Sequence, residues 1–373
     1  MCDTFLLVDI DKIKYNLHKL RSLDKDAMFA GVVKANAYGL GAVTICKEIE
    51  DEVDYFAVAR FDEAYELRNS GIIKPILILG YVCPNDAIKC AKLNIEIPVY
   101  DLGLAKQINE ILDRKLKVHI ALDTGHGRIG FRDYEIDKIK EIKNFENLEV
   151  ISAFSHFSTA DEEDTSYTKL QEKKFTYIIE QTKDTFNYQF THIANDAGAI
   201  KHGITKDMIR SGISLYGIYP SDLLKIEKDI ELRQAFSLIS TISFVKDVKK
   251  GQYISYGRTF RADKAMKVAT ISIGYADGYP RSFSNKAKVK IAGKEAQILG
   301  RVCMDQMMVD VTNINAKIGD RVQIYPDIYQ AANSIDTIVY ELMTNINMRV
   351  PRIYMKDGEI FKKVKYIGEM NEN

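Results

Sequence analysis

The chain has 373 residues, 46% of them hydrophobic and 28% charged, the make-up of a globular protein rather than a disordered one. Lys plus Arg and Asp plus Glu balance at 52 each, so no basic excess invites nucleic acid, and no run of eighteen or so apolar residues spans a membrane. The five cysteines (2, 46, 83, 90 and 303) are odd in number and form no CxxC pair, which argues against a disulfide framework or a metal site and fits a reducing, cytoplasmic setting.

At this length two domains are expected. The opening segment has no basic n-region and no small-residue cleavage site, so Phe5 to Asp9 reads as a strand rather than a signal peptide. Helical spacing follows over Asp11 to Leu23, then a buried strand over Phe29 to Lys34 and a helix through Ala42 to Ile49. Further strands are expected at 55–58, 76–79, 95–99, 118–122, 148–154, 190–193 and 208–215, with amphipathic stretches at 64–69, 102–112 and 167–182 between them. Such alternation points to a parallel barrel or an open doubly wound sheet. Lys34, Arg128, His156, His192 with Asn195, and Arg210 fall at the ends of many different strands, which favours the barrel.

After about Leu232 the pattern changes to β-branched, partly alternating runs at 236–246, 266–273, 287–291, 296–300, 307–311 and 321–325. One helix is expected from Ser334 to Thr344, and a loose polar tail from Gly368. The expected fold is α/β: an N-terminal (β/α)8 barrel over 1–232 and a mainly antiparallel β domain over 233–373.

The chemistry begins at Val32-Val33-Lys34-Ala35-Asn36-Ala37-Tyr38-Gly39-Leu40-Gly41. A lysine directly after an apolar strand is partly desolvated, which disfavours its ammonium form and frees an amine able to form a Schiff base with an aldehyde cofactor. A lone strand-end lysine more often snorkels to solvent. The flanking small residues and glycines shift the balance, because they let the backbone approach a bulky group.

This segment resembles the cofactor-lysine motif of the alanine racemase family. Asp123-Thr124-Gly125-His126-Gly127-Arg128-Ile129-Gly130, Ser155-His156-Phe157-Ser158-Thr159-Ala160-Asp161, His192-Ile193-Ala194-Asn195 and Arg210-Ser211-Gly212-Ile213 resemble further motifs of that family, in its order. So do Gly274-Tyr275-Ala276-Asp277-Gly278, Arg301-Val302-Cys303-Met304-Asp305-Gln306 and Arg349-Val350-Pro351-Arg352. The resemblance spans nearly the whole chain. It implies pyridoxal 5'-phosphate on Lys34, with Lys34 as base on one face of the substrate α-carbon and Tyr275, supplied by the second subunit of a homodimer, as base on the other. An ordinary tyrosine titrates near ~10, so neighbouring cations, His156 and Arg210, are expected to lower it. Arg210 is expected at the pyridine nitrogen, which it would keep unprotonated, suppressing side reactions. By the same resemblance His156 packs on the cofactor ring and Asn195 is a cofactor contact. The Tyr38 hydroxyl and the Gly212 and Ile213 amides hold the phosphate, Arg128 meets the phenolic oxygen and the substrate, and Met304 lines the substrate site.

The family pattern is broken near the cofactor. Ala121 stands where a carbamylated lysine is often found, so Arg128 lacks its usual anionic partner. Asp196 stands where a phosphate-binding serine is usual, and Met348 where a tyrosine narrows the pocket. The expected reaction is the interconversion of L- and D-alanine for cell-wall precursors. The alternatives are a racemase of serine or another amino acid, a barrel-type amino-acid decarboxylase and, least favoured, a non-catalytic cofactor carrier.

Overall fold

In the computed structural model, residues 3–227 and 229–367 are described, so the tail from Gly368 lies outside the described residues. The chain forms two compact units. One holds Lys12–Ala37 and Gly41–Gln234; the other combines the N-terminal segment through Asp11, Tyr38–Leu40 and the chain from Ala235 onward.

The N-terminal strand β1 (Phe5–Asp9) corrects the expected boundaries, which placed it in the barrel domain. It pairs antiparallel with β10 (Phe236–Val248), Val8 opposite Phe236, and parallel with Arg352–Lys356, Leu6 opposite Arg352. Phe5, Leu6 and Val8 are buried there. A short apolar strand carries no information about which sheet it joins.

The barrel consists of eight parallel strands: β2 (Met28–Val32), β3 (Tyr55–Val58), β4 (Ile76–Ile78), β5 (Ile95–Val99), β6 (Leu116–Ala121), β7 (Leu148–Phe154), β8 (Phe190–His192) and β9 (Met208–Ser211). They pair in the order 8-7-6-5-4-3-2-9. Hydrogen bonds from Asp207 N to Thr191 O (3.1 Å) and from Arg210 N to Ala194 O (3.3 Å) join the two ends. Burial on both faces, complete over β3, β4 and β5, explains why β3 and β4 read as apolar runs without alternation and β5 as one interrupted only at Glu96. Ala30, Tyr55, Leu77, Ile151, Phe190 and Met208 form one interior cluster.

The helices between strands begin and end where the sequence signals it. Pro84 opens Pro84–Leu93, where a missing N–H costs nothing, and Asn94 closes it in the left-handed conformation (φ 51°). Asp101 caps Leu102–Ile111 by accepting from Leu104 N at 2.8 Å, a contact worth about 1 kcal/mol.

The other unit is built on a nine-stranded, mainly antiparallel sheet. Its spine, β10, alternates buried and partly buried positions from Phe236 to Ile242, as one face of a sheet requires. Arg352 is fully buried, yet its guanidinium donates to the carbonyls of Gly39 (2.9 Å), Asn347 (2.8 Å), Val350 (2.6 Å) and Ile346 (2.8 Å), so its donors are matched. The single helix expected over 334–344 is two, Ile328–Ser334 and Val339–Thr344. Asp327 starts the first by accepting from Tyr329 and Gln330 amides, and Asp336 (φ 57°) turns left-handed between them. The hairpin Arg352–Lys356 with Glu359–Val364 was not foreseen.

Candidate active site

The site is built where the barrel strands end. After β2, Val33 N still reaches Ala57 O (2.8 Å), and then the backbone reverses hand. Ala35, Asn36, Ala37 and Tyr38 all have φ between 52° and 55°, and Gly39 has φ 87°. This is one turn of left-handed helix, a conformation that costs roughly 1–2 kcal/mol per non-glycine residue. Bonds from Ala37 N to Val33 O and from Gly41 N to Asn36 O (both 2.8 Å) hold it. The Asn36 side chain accepts from Ala42 N (2.8 Å), and Glu63 accepts from Ala35 N (2.6 Å). Strain kept by this many fixed contacts is characteristic of a functional turn.

The turn leaves Lys34 half-buried, with no ion-pair or hydrogen-bond partner among the described residues. Burial lowers its pKa first and the Arg128 charge adds to this; Glu63 opposes, and Arg210 lowers it further. These surroundings disfavour the ammonium form of the side chain.

Arg210, on β9, is buried. Its Nη1 donates to His192 Nδ1 (2.5 Å), and its Nη2 reaches Ser155 O (2.7 Å), Ile193 O (3.2 Å) and His156 Nδ1 (3.2 Å). Its Nε has no acceptor among the described residues. Burial, then the Arg128 charge, brings its pKa down to about 9, which leaves it a cation at neutral pH. His156 was expected to be a second cation, and that is corrected: burial, then Arg210, Arg128 and Lys34, push its pKa well below 6.5. Its ring lies 5.7 Å from that of His126.

Arg128 is exposed and makes no ion pair or hydrogen bond among the described residues, while Ala121 is buried, as the missing lysine implies. The rest of its loop is well held: Asp123 accepts from Gly125 N (3.1 Å) and Gly127 N (2.9 Å) and pairs with Arg132 at 3.4 Å.

The expected phosphate cradle is changed by Asp196. Its carboxylate accepts from Ser211 Oγ (2.6 Å), Gly212 N (3.0 Å) and Ser214 N (3.1 Å), so the Gly212 amide assigned to a phosphate is already engaged. The Ile213 amide between them has no acceptor among the described residues. Burial without a counter-cation raises the Asp196 pKa against these hydrogen bonds. The Asn195 side-chain oxygen caps Asp196–His202 by accepting from Gly198 N (2.9 Å). That structural task accounts for its oxygen without a cofactor.

Tyr38, Tyr275 and Met304 belong to the other unit. The Tyr38 ring is buried, 6.1 Å from that of Tyr340. Tyr275 is 41% exposed and opens a 3-10 turn over Tyr275–Asp277. The turn is stitched by Tyr275 N to Cys303 O (3.0 Å), Ala276 N to Met304 O (2.9 Å) and Gly274 N to Asp277 Oδ2 (2.9 Å). Gly274 is needed here, because a Cβ would lie 2.3 Å from Cys303 O and 2.4 Å from Met304 O. Arg349 ties Asp277 (3.0 Å) to Asp305 (2.8 Å), and Met304 projects from the same segment, half-exposed. Among the described residues no group of His, Cys, Asp and Glu could hold a metal ion, and no helix is long and apolar enough to cross a membrane.

Sequence reasoning missed Glu96 and His119, which are buried inside the barrel next to His192. The available signal was a polar residue in the middle of an apolar strand: Ile95-Glu96-Ile97 and Val118-His119-Ile120.

A parallel eight-stranded barrel with a strand-end lysine and buried arginine, followed by a mainly antiparallel domain, defines a two-domain α/β architecture. The comparisons with known proteins agree. Residues 8–220 match the alanine racemase N-terminal domain family and residues 235–354 the alanine racemase C-terminal domain family. The alanine racemase of Clostridium perfringens is 43% identical, covering 96% of this chain and 97% of that protein; the one from Clostridium tetani is 40% identical with the same coverage. Among solved structures, the alanine racemase of Clostridium difficile 630 superposes with a TM-score of 0.94 at 36% identity, covering 98% of this chain and 99% of its own. That of Bacillus anthracis, with bound L-Ala-P, gives 0.93 at 34% identity, covering 98% of each. The chain belongs to the alanine racemase family, and it is an enzyme of the isomerase class.

Proposed function

We propose that this enzyme interconverts L- and D-alanine with pyridoxal 5'-phosphate held on Lys34. The observation that carries the reading is the Lys34 amine: half-buried, unpaired, and with a pKa lowered by burial and by Arg128. The surrounding donors fit the cofactor. Arg210 Nε has no acceptor among the described residues and can meet a ring nitrogen, and the Ile213 amide can meet a phosphate oxygen. Gly212 fits only if Asp196 yields its amide.

When bound, pyridoxal phosphate withdraws electrons from the substrate α-carbon, so that its proton becomes removable. Lys34 Nζ takes or returns that proton on one face. Tyr275 Oη, supplied by a second subunit, does so on the other, because inversion needs one acid–base group on each side. Arg210 cannot give up a proton at working pH and keeps the ring nitrogen unprotonated, limiting side reactions. His156, without charge, packs on the ring. Arg128 binds the phenolic oxygen and the substrate carboxylate, and Met304 borders the substrate. The Tyr38 hydroxyl adds a phosphate donor. The working unit in this reading is a homodimer in the cytoplasm whose D-alanine feeds cell-wall precursors.

Met348 stands where the family resemblance puts a pocket-narrowing tyrosine, and the unbranched methionine side chain favours a second reading in which serine or a larger residue is also accepted. The test is a panel of single L- and D-amino acids in deuterated water with the pyridoxal-loaded enzyme. Loss of the α-proton and inversion fastest for alanine support the proposal. Serine in the lead supports the second reading. Decarboxylation, or no exchange at all, overturns both.

A further inference from the structure

Inside the barrel, a line of hydrogen bonds runs away from Arg210 across four strands. Arg210 Nη1 meets His192 Nδ1 at 2.5 Å, His192 Nε2 meets His119 Nδ1 at 3.3 Å, and His119 Nε2 meets Glu96 Oε2 at 2.8 Å. The side chains come from β9, β8, β6 and β5 in that order. Their exposures are 4%, 0%, 0% and 4%, so bulk solvent does not reach them. His192 is held flat by stacking on Phe154 (5.2 Å) and Phe190 (5.8 Å), and His119 meets it edge-on at 5.5 Å. The Tyr55 ring also meets His119 edge-on.

Chemistry fixes the direction of this line. A guanidinium only donates, so His192 Nδ1 must be bare and its proton must sit on Nε2. That N–H has His119 Nδ1 as its acceptor, which in turn places the proton of His119 on Nε2, facing Glu96. Every donor therefore points from the guanidinium towards the carboxylate, and the two imidazoles carry one proton each. The buried positive charge and the buried negative charge stand at the two ends of one polarised chain.

We propose that Glu96 and His119 are positioning residues for Arg210: through His192 they fix the guanidinium's place in the barrel and balance its charge, so that its Nε is aimed at the ligand. The consequence for catalysis rests on the reading that Arg210 meets the cofactor's ring nitrogen; the chain of hydrogen bonds does not. A merely structural polar core would tolerate the loss of the Glu96 charge with no change at the ligand.

Two measurements on the full-length chain test this. Long-range 1H–15N spectra of histidine-labelled protein without cofactor read the tautomers directly. His119 and His192 are expected to be protonated on Nε2 alone; a proton on Nδ1 of either ring overturns the proposal, whatever reaction the chain performs. The second uses Glu96→Gln, which keeps an acceptor oxygen for His119 and removes only the charge. Expected are a loss of about 10-fold or more in kcat, as for outer-shell partners of other buried ligand sets, a change in KM of less than about 3-fold, and a shifted absorption band of the bound pyridoxal phosphate. Lower unfolding resistance with unchanged kcat and absorption would make the line structural only and overturn the proposal. If the tautomers are as stated but the chain never takes up pyridoxal phosphate, the functional reading fails while the positioning of Arg210 stands.

Discussion

Arg210, on β9, and Arg128, in the loop after β6, belong to one barrel and carry the same charge, yet they are held in opposite ways. Arg210 is buried, with Ser155 O, Ile193 O and two imidazole nitrogens around it. Arg128 is exposed and has no partner among the described residues, and the position from which a family anion would come is the methyl group of Ala121. The first is pre-organised by the protein; the second is left for the ligand to order. Pre-organisation reduces the cost of ordering on binding, so the two guanidiniums should respond differently to the same kind of mutation.

The largest effect is expected at Arg210. Arg210→Gln strips the buried carbonyls and His192 of their donor, costing about 3 kcal/mol or more in urea unfolding, and lowers kcat by orders of magnitude. Equal stability to the parent would mean that the guanidinium is not held as described. Arg128→Ala is expected to leave stability within about 0.5 kcal/mol of the parent, as for a surface change. Its effect should fall on ligand capture, raising KM for alanine by about 10-fold, a difference near 1.4 kcal/mol. A large loss of stability in this variant would erase the contrast between the two sites.

Asp196→Ser sharpens the comparison at the phosphate side. It releases the Gly212 and Ser214 amides and removes a carboxylate, so pyridoxal phosphate should bind several-fold tighter in a spectroscopic titration, about 1 kcal/mol. The sign with pH follows from the raised Asp196 pKa. The uncharged acid persists above the usual carboxylate range, and ionisation as pH rises places a negative charge near the phosphate. Cofactor affinity of the parent should therefore fall with rising pH relative to that of the Ser variant. Parallel pH profiles would show that the carboxylate does not compete.

Much of the barrel is legible because a doubly buried parallel strand leaves a predominantly apolar run; the expected bounds at Tyr55–Val58, Ile95–Val99 and Leu148–Phe154 match the strands to the residue. β1 was equally visible as a strand but not as a member of the second unit, since pairing partners some 230 residues away leave no local trace. The helix at 334–344 was misjudged because Asp336 reverses the backbone hand, a conformation that no apolar pattern reports. In the site, Lys34, Arg128 and Arg210 stood out by motif, whereas Glu96 and His119 are single polar interruptions of apolar strands whose partners lie on other strands. Asp196 is visible in the sequence as a departure, but its turn towards the Gly212 amide is set by the folded chain.

The central claim is inversion by two bases, Lys34 and Tyr275, on opposite faces of one α-carbon. The most direct measurement is Tyr275→Phe, loaded with pyridoxal phosphate and given L-alanine and D-alanine separately in deuterated water. Expected are normal cofactor uptake, continued α-proton exchange for one enantiomer only, and inversion reduced by about 10³-fold or more, as for loss of a positioned acid–base group. Inversion of both enantiomers at the parent rate would contradict the claim.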